Sequence, residues 1–252
     1  PYTVAAGEDL ELFLDEETLT QPLRWQRPRM VFVCSMTDLF GEFVPEPWID
    51  RVFAVMLRAR RHTFQVLTKR SRRMRDYSQA SYVPGGILVA DTSPLDDPEA
   101  DPQRWPLPNV WLGGSVENQE ALDARAVDIL ETKTAVRFLS AEPLLGPIDL
   151  AATTCWDDPS AGFNWVIVGG ESGPGARPMD LSWARSIATQ CRLGGVACFV
   201  KQLGAWPIGK WGPASMADHP AYEAASGRWK LADRKGGDPT EWPRDLRVRE
   251  WP

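Results

Sequence analysis

The sequence has few of the residues that most often bind metals or form disulfides. Among 252 residues there are two histidines and four cysteines, which are Cys34, Cys155, Cys191 and Cys198. The cysteines are far apart, and no pair has the spacing of a zinc or redox motif. Two of them, Cys34 and Cys198, lie in apolar strand-like runs. We therefore predict buried free thiols, as are typical of a cytosolic protein.

Long apolar runs and excess positive charge are also lacking. No apolar run reaches the roughly 18 residues that a membrane helix needs, and the first residues do not resemble a secretory signal. We therefore expect a cytoplasmic protein that does not enter a membrane. The net charge of −6 argues against broad coating of nucleic acid. The sequence begins at Pro1 rather than Met, so we expect a fragment or a processed chain.

One stretch of the acidic chain is locally basic. It holds eight Lys or Arg residues, namely Arg58, Arg60, Arg61, Lys69, Arg70, Arg72, Arg73 and Arg75. Such a run is either the solvated face of a helix or a surface that binds phosphates. The sequence leaves both interpretations open.

Six short apolar runs determine the predicted fold. They cover residues 30–35, 63–68, 109–114, 135–140, 164–169 and 196–201. Several are continuously apolar, which is typical of parallel strands buried on both faces. Helical spacing of apolar residues predicts helices at 45–60, 117–131 and 181–193, the last capped by Asp180 or Ser182 and ended by Gly194-Gly195. We predict an α/β fold, a parallel (β/α) barrel or partial barrel.

The chain is predicted to form a single domain over residues 1–252. Residues 1–29 form a lead-in with one strand at 9–14, and residues 30–203 form the β/α core. A long loop rich in Pro, Asp and Gly spans 81–108, with a short strand at 87–90. Residues 204–252 hold five of the twelve tryptophans and form a loop-rich, Trp-rich C-terminal extension packed on the core by its aromatic side chains.

Polar residues follow every apolar run, where each strand ends. In chain order the runs lead into Ser35-Met36-Thr37-Asp38, Lys69-Arg70, Ser115-Val116-Glu117-Asn118, Ser140-Ala141-Glu142, Gly169-Gly170-Glu171-Ser172 and Lys201-Gln202. Parallel α/β folds place their sites at the carboxyl ends of the strands. We therefore predict one shared site at this rim.

The roles of single rim residues stay open. The four acids Asp38, Glu117, Glu142 and Glu171 could surround a metal, a substrate amine or a ribose. Alternatively, Ser115 or Glu117 could cap the next helix and Asp38 could close a turn. Lys201, and likewise Lys69 and Arg70, could neutralise carboxylates or contact a phosphate.

The glycines around Glu171 favour a ligand close to the backbone. Gly169 and Gly170 remove side chains where a strand leaves the sheet, and Gly173 and Gly175 permit unusual φ angles. We expect Glu171 to accept hydrogen bonds from that ligand. No Lys-Ser/Thr pair follows the glycines, as a Walker A loop requires, and their spacing does not fit a dinucleotide fingerprint.

Together, the motifs "VFVCSMTDLF", "HTFQVLTKR", "NVWLGGSVENQ", "VRFLSAEPLLGPIDL", "NWVIVGGESGPGARPMD" and "CFVKQLGAW" resemble those of a phage-associated family of uncharacterised proteins. Members of that family begin with a segment that this sequence lacks, which carries three closely spaced cysteines. That motif makes the family similar to divergent radical S-adenosylmethionine enzymes. Those enzymes are full or partial (β/α) barrels, and three cysteines bind their [4Fe–4S] cluster.

The resemblance implies roles for the rim residues. It assigns the S-adenosylmethionine cofactor to Ser35, Thr37, Asp38, Ser115, Glu117, Asn118, Gly169, Gly170, Glu171 and Ser172. Substrate contacts fall to Lys69, Arg70, Ser140, Glu142, Lys201 and Gln202. The expected activity is radical-based hydrogen abstraction from a nucleotide or nucleic acid. The cluster ligands are not in this chain, since its four cysteines do not share one loop.

Two alternatives remain open at this point. The first is a non-catalytic protein that binds a nucleotide or nucleic acid, or that regulates a phage-encoded partner protein. The second is a metal-dependent hydrolase that uses the four rim carboxylates.

Overall fold

The computed structural model describes residues 13–80, 105–151, 162–210, 221–223 and 226–252. The strands in this part are β1 (Met30–Val33), β2 (Thr63–Thr68), β3 (Val110–Ser115), β4 (Val136–Ala141), β5 (Trp165–Gly169), β6 (Met179–Asp180), β7 (Ala197–Gln202), β8 (Pro207–Ile208), β9 (Tyr222–Glu223) and β10 (Arg228–Trp229). The α-helices are α1 (Glu16–Arg24), α2 (Glu46–Arg58), α3 (Ser71–Gln79), α4 (Gln119–Glu131) and α5 (Leu181–Gly194). The predicted strand at 87–90 and Cys155 lie outside the described residues.

The six predicted core strands form one sheet in the order β1-β2-β3-β4-β5-β7, and every pairing is parallel. The sheet curls into a half-barrel flanked by helices, which confirms the predicted partial barrel. Successive strands are neighbours in space because a helix or long loop returns the chain to the same end each time. All six carboxyl ends therefore meet at one rim.

The two faces of the sheet differ in what covers them. On the outer face, Val66, Leu112 and Val166 are fully buried with the apolar sides of the helices. Gly114 also faces outwards, and a Cβ there would overlap the side chain of Ile129 on α4. The inner, concave face carries a separate aromatic cluster around Trp165.

The boundaries of α2, α4 and α5 agree with the three predicted helices, and two other expectations need correction. Asp180 caps α5 through Ser182 N at 2.8 Å, and Gly195 ends it with φ +66. The cap of α4 is Asn118, which accepts from Ala121 N at 3.0 Å, so neither Ser115 nor Glu117 caps that helix. The lead-in forms a helix, α1, which was not predicted, and the two described residues of the proposed strand at 9–14 are not in a strand.

The C-terminal extension packs on the core through tryptophans, as predicted. Trp229 and Trp242 are each 1% exposed. A small sheet in the order β6-β8-β10-β9 holds part of the extension. The last residues then run antiparallel to β7, where Val200 N donates to Val248 O at 2.9 Å and Glu250 N donates to Cys198 O at 2.8 Å.

The three described cysteines are free thiols. Cys191 and Cys198 are buried in the outer core, as predicted. Cys34 is only half-buried, in the turn after β1, where burial raises its pKa despite a hydrogen bond with Thr37. Of the helices in the described ranges, none is both long and apolar enough to span a membrane.

Candidate functional site

The predicted polar residues lie at the carboxyl rim of the half-barrel, where the strand registers bring them together. Ser115 lies opposite Ser140, and Gly169 lies opposite Gln202. Each of the four rim acids has its own cationic partner among the described residues. The pairs are Asp38–Arg70, Glu117–Lys69, Glu142–Lys201 and Glu171–Arg177.

Asp38 joins the end of β1 to the end of β2. Its carboxylate accepts from Thr68 Oγ1 at 2.6 Å and from Lys69 N at 3.0 Å. It also accepts from Phe40 N at 3.0 Å, the local turn that was one of its predicted roles. Arg70 Nη1 lies 3.5 Å from the same carboxylate. Asp38 therefore positions Lys69 and Arg70, the two cations that follow β2.

Glu117 lies between two cations beyond the end of β3. Lys69 pairs with one of its carboxylate oxygens, and Arg125 Nη1 lies 3.2 Å from the other. Burial alone would raise the pKa of Glu117, but the hydrogen bonds and charges of Lys69 and Arg125 outweigh it, and the pKa is lowered. Arg125 also donates to Ser115 O at 2.6 Å, which fixes the guanidinium against the strand end.

Glu142 reaches across a neighbouring strand to Lys201. Its carboxylate accepts from Ser140 Oγ at 3.2 Å, and Lys201 Nζ lies 3.3 Å away on β7. Strand β5 lies between β4 and β7, and its last residue, Gly169, leaves room for this contact. A Cβ at Gly169 would overlap the Glu142 carboxylate, with Cγ and Cδ at 3.1 Å.

Position 170 also requires glycine, but because of a different contact. A Cβ there would overlap the backbone carbonyl of Leu203 and would lie 3.0 Å from Gly204 Cα. Gly170 N donates to Gln202 O at 3.0 Å, and Gln202 Nε2 donates back to Gly170 O at 2.7 Å. The space that these two glycines leave is therefore filled by the protein itself.

Glu171 forms a bidentate ion pair with Arg177. Arg177 Nε and Nη2 donate to its two oxygens at 2.8 and 3.0 Å, and Arg177 N donates at 2.9 Å. These hydrogen bonds lower the pKa of Glu171 to about 2. The pair closes a loop in which Gly173 and Gly175 have φ values of +99 and +74, as predicted. The hydrogen bond and charge of Glu171, and to a smaller extent the charge of Glu117, raise the pKa of Arg177.

A cleft of about 640 Å³ opens between the rim and the concave face of the sheet. Its polar wall contains Ser140, Glu142, Glu171, Ser172, Lys201 and Gln202, all predicted site residues. Its floor is aromatic. Trp165 packs on Trp251 with ring centroids 4.9 Å apart, and Phe199 lies 5.1 Å from Trp251. Trp165 Nε1 donates to Glu250 O at 2.9 Å, so the C-terminal segment is fixed beneath the cleft.

Gly170 also lines this cleft, and the remaining predicted residues are at the rim outside it. Ser35 and Thr37 are exposed beyond β1, and Thr37 N donates to Cys34 O at 3.0 Å. Asn118 is engaged as the helix cap. Sequence reasoning missed the floor residues Trp165, Phe199 and Trp251, although the positions of Trp165 and Phe199 in their strands assign both to one face.

Much of the basic run at 58–75 is engaged within the protein. Arg73 donates to backbone carbonyls, including Val44 O at 2.7 Å. Arg75 pairs with Asp128 and with Asp76, the latter at 2.7 Å. Arg72 has a side chain that is 82% exposed, in keeping with the solvated helix face that was one interpretation of this run.

A family model matches residues 3–236 of the chain, over nearly its whole length. It describes a protein of unknown function, DUF5131. The chain belongs to the DUF5131 family. No match was found among curated proteins or among solved structures.

The cysteines described for this DUF5131 chain do not fit an iron–sulfur cluster. Cys191 and Cys198 are buried on the outer side of the sheet, whereas Cys34 lies at the end of β1. Cluster ligation needs three thiolates that converge on one point. Across the described ranges, no group of three or more His, Cys, Asp or Glu side chains is arranged to hold a metal ion.

Proposed function

We propose that this chain is the ligand-binding half-barrel of a radical S-adenosylmethionine-type enzyme whose substrate is a nucleotide or nucleic acid. The cleft carries the proposal, because it combines an aromatic floor with a polar rim at the carboxyl ends of six parallel strands. Ligand sites of α/β folds occur at this position. The phage association of the family resemblance adds a nucleic-acid context.

The residues that line the cleft have the chemical groups that a nucleoside needs for binding. A planar base can stack on Trp251, which is 51% exposed, and on the half-buried Phe199, since aromatic rings attract one another in stacked and tilted arrangements. Ribose hydroxyls can donate to carboxylates such as Glu142 and Glu171. Lys201 can attract a carboxylate or phosphate of the ligand. S-adenosylmethionine presents a purine, a ribose and an amino-acid group, and so matches these partners.

The described residues would bind, orient and shield the ligand. In the enzymes that the family resembles, S-adenosylmethionine supplies a radical that abstracts hydrogen from the substrate. The described cysteines do not hold the cluster that this chemistry needs, so no step of it is assigned to them. Glu142 and Lys201 neutralise each other on the polar wall of the cleft and would fix the polar part of the ligand.

Calorimetric titration with S-adenosylmethionine, S-adenosylhomocysteine and adenosine tests the proposal. The protein should bind the first two compounds, and Glu142→Gln should weaken binding at least several-fold. Glu120→Gln is the matched control, because Glu120 is exposed on α4. Absence of binding for all three compounds, or equal effects of the two variants, would overturn the proposal.

The separate pairing of the rim acids weighs against the hydrolase alternative. Asp38, Glu117, Glu142 and Glu171 are each neutralised by a different cation, whereas a cation site would need several carboxylates directed at one point. The non-catalytic alternative keeps the same cleft and is favoured by the scattered cysteines. Iron content and intact mass of the natural gene product, purified without oxygen, distinguish it: about four irons per chain would favour the enzyme.

A further inference from the structure

A second basic segment lies beyond the rim, at residues 228–235. It contributes Arg228, Lys230, Arg234 and Lys235 to one pocket of about 720 Å³. The loop of Ser172, Gly173 and Pro174 forms part of the opposite wall. Four cations in eight residues stand out in a chain whose net charge is −6.

Two acids near this pocket accept hydrogen bonds from backbone N–H groups. The carboxylate of Asp233 accepts from the backbone N–H groups of Lys235 and Gly237, both at 2.9 Å. The carboxylate of Glu241 accepts from the backbone N–H groups of Ala232 and Asp233 at 3.0 and 3.1 Å. Both acids therefore shape the pocket wall. Lys230 has a carboxylate partner, Glu223, at 3.6 Å.

Arg228 is a half-buried cation of the pocket with no carboxylate partner within the described residues. Its Nη2 donates to Ala205 O at 2.7 Å, and its guanidinium lies 5.8 Å from the ring centroid of Trp206. Its Nε is buried and lacks a hydrogen-bond partner in the described part of the chain. A desolvated charge without a counter-ion favours an anion nearby.

Arg234 and Lys235 are exposed at the mouth of the same pocket. Neither side chain has an ion pair with any described residue. Long, solvated cations of this kind contact phosphate groups without the cost of breaking an existing pair.

We propose that this pocket binds a phosphate group of a nucleic acid or nucleotide whose nucleoside lies in the cleft. Ser172 lines both cavities, so one ligand can extend from the aromatic floor into the basic pocket. The inference rests on the proposed function for the nucleoside, but the phosphate site itself rests on the charges of residues 228–235. The expected contact with nucleic acid therefore lies in the C-terminal extension, and not in the basic run at 58–75, most of whose cations have partners within the protein.

Fluorescence anisotropy with a labelled single-stranded oligonucleotide, measured over a range of salt concentrations, tests the site. Arg234→Gln/Lys235→Gln removes two cations from the pocket. Lys133→Gln/Arg192→Gln is the matched control, since both residues are exposed at the opposite rim, Lys133 between α4 and β4 and Arg192 in the last turn of α5. Each phosphate contact contributes about 0.7 to the salt slope for single strands. The pocket variant should therefore lose about 1.4 from the slope, or about 25-fold in affinity near 0.1 M salt.

Two small phosphate ligands show whether the pocket binds a free phosphate or nucleotide, or only a phosphodiester chain. Line broadening of the ³¹P signal of adenosine monophosphate, or of inorganic phosphate, should report the same site if a free nucleotide suffices. The pocket variant should abolish that broadening, and the control should retain it. Broadening by neither compound, together with pocket-dependent oligonucleotide binding, assigns the site to a phosphodiester chain.

The outcomes separate this inference from the proposed function. Equal losses in the two double variants, or no binding of any of these phosphates, would overturn the phosphate site even if S-adenosylmethionine still binds. Pocket-dependent oligonucleotide binding without S-adenosylmethionine binding would uphold the site and overturn the proposed cofactor. Thermal unfolding of both variants, expected to be unchanged, checks that a loss of binding is not a loss of fold.

Discussion

Substitution of Gly169 and of Gly170, the adjacent glycines at the end of β5, should affect different properties of the protein. A Cβ at Gly169 meets the flexible end of Glu142, which can move aside. A Cβ at Gly170 meets the backbone of Leu203 and Gly204, which cannot move without shifting the chain. We therefore expect Gly169→Ala to disturb the site and Gly170→Ala to disturb the fold.

The magnitudes follow from these contacts. Gly169→Ala breaks the Glu142–Lys201 pair, whose lysine side chain is 58% exposed, and such pairs contribute about 0–1 kcal/mol. The gain of Ala over Gly within a strand, about 0.5–1 kcal/mol, offsets this loss. Gly170→Ala forces overlap with the backbone, and overpacking of this kind costs about 1–3 kcal/mol. The midpoint of thermal unfolding should then fall by about 2–4 °C for each kcal/mol.

Urea unfolding and lysine acetylation measure the two effects separately. Gly169→Ala should leave the unfolding midpoint nearly unchanged, but Lys201 should react faster with an acylating reagent because its partner has moved. Gly170→Ala should lower the midpoint. Equal destabilisation by both variants, or unchanged reactivity of Lys201 in Gly169→Ala, would refute this reasoning.

Three further predictions concern other parts of the molecule. The ionised side chain of Glu171, whose pKa is lowered to about 2, stabilises the folded loop above pH 4.5, and this contribution is lost as the pH falls from 4.5 through 2. The protection factor of the Arg177 amide against hydrogen exchange should therefore fall over that range, and Glu171→Gln should remove this pH dependence. Trp251→Ala removes the exposed ring of the cleft floor, and one aromatic stacking contact contributes about 0.5–1.5 kcal/mol. Nucleoside binding, measured by calorimetry, should therefore weaken; unchanged affinity would exclude the floor from the site. Tyr77→Phe removes the 2.8 Å hydrogen bond to the buried carboxylate of Asp50, and urea unfolding should show a loss of about 1–3 kcal/mol; a loss within error would mean that water replaces the hydroxyl.

The sequence predicted the core strands well for a physical reason. Parallel strands buried on both faces must be apolar at nearly every position, and the run at 63–68 coincides with β2. The same property hid the division of the sheet into two faces. Trp165 and Val166 are both apolar, yet one faces the concave cleft and the other the helices. The aromatic floor was therefore not predicted.

The gathering of polar residues at the rim was predictable, but their partners were not. Strand ends of a parallel sheet meet at one edge whatever their sequence separation. Which acid pairs with which cation depends on which strands are neighbours. Lys201 reaches across β5 to Glu142, which lies 59 residues earlier in the chain. The helix α1 was missed because Pro22 lies within it, and proline normally interrupts a helix.

Photolabelling with an azido-substituted adenosine tests most directly whether the cleft binds nucleosides. After irradiation, digestion and mass spectrometry, we expect the label on peptides that contain Trp165, Phe199 or Trp251, and excess S-adenosylmethionine should prevent it. Labelling confined to other peptides, or labelling that S-adenosylmethionine does not reduce, would contradict a nucleoside site in this half-barrel.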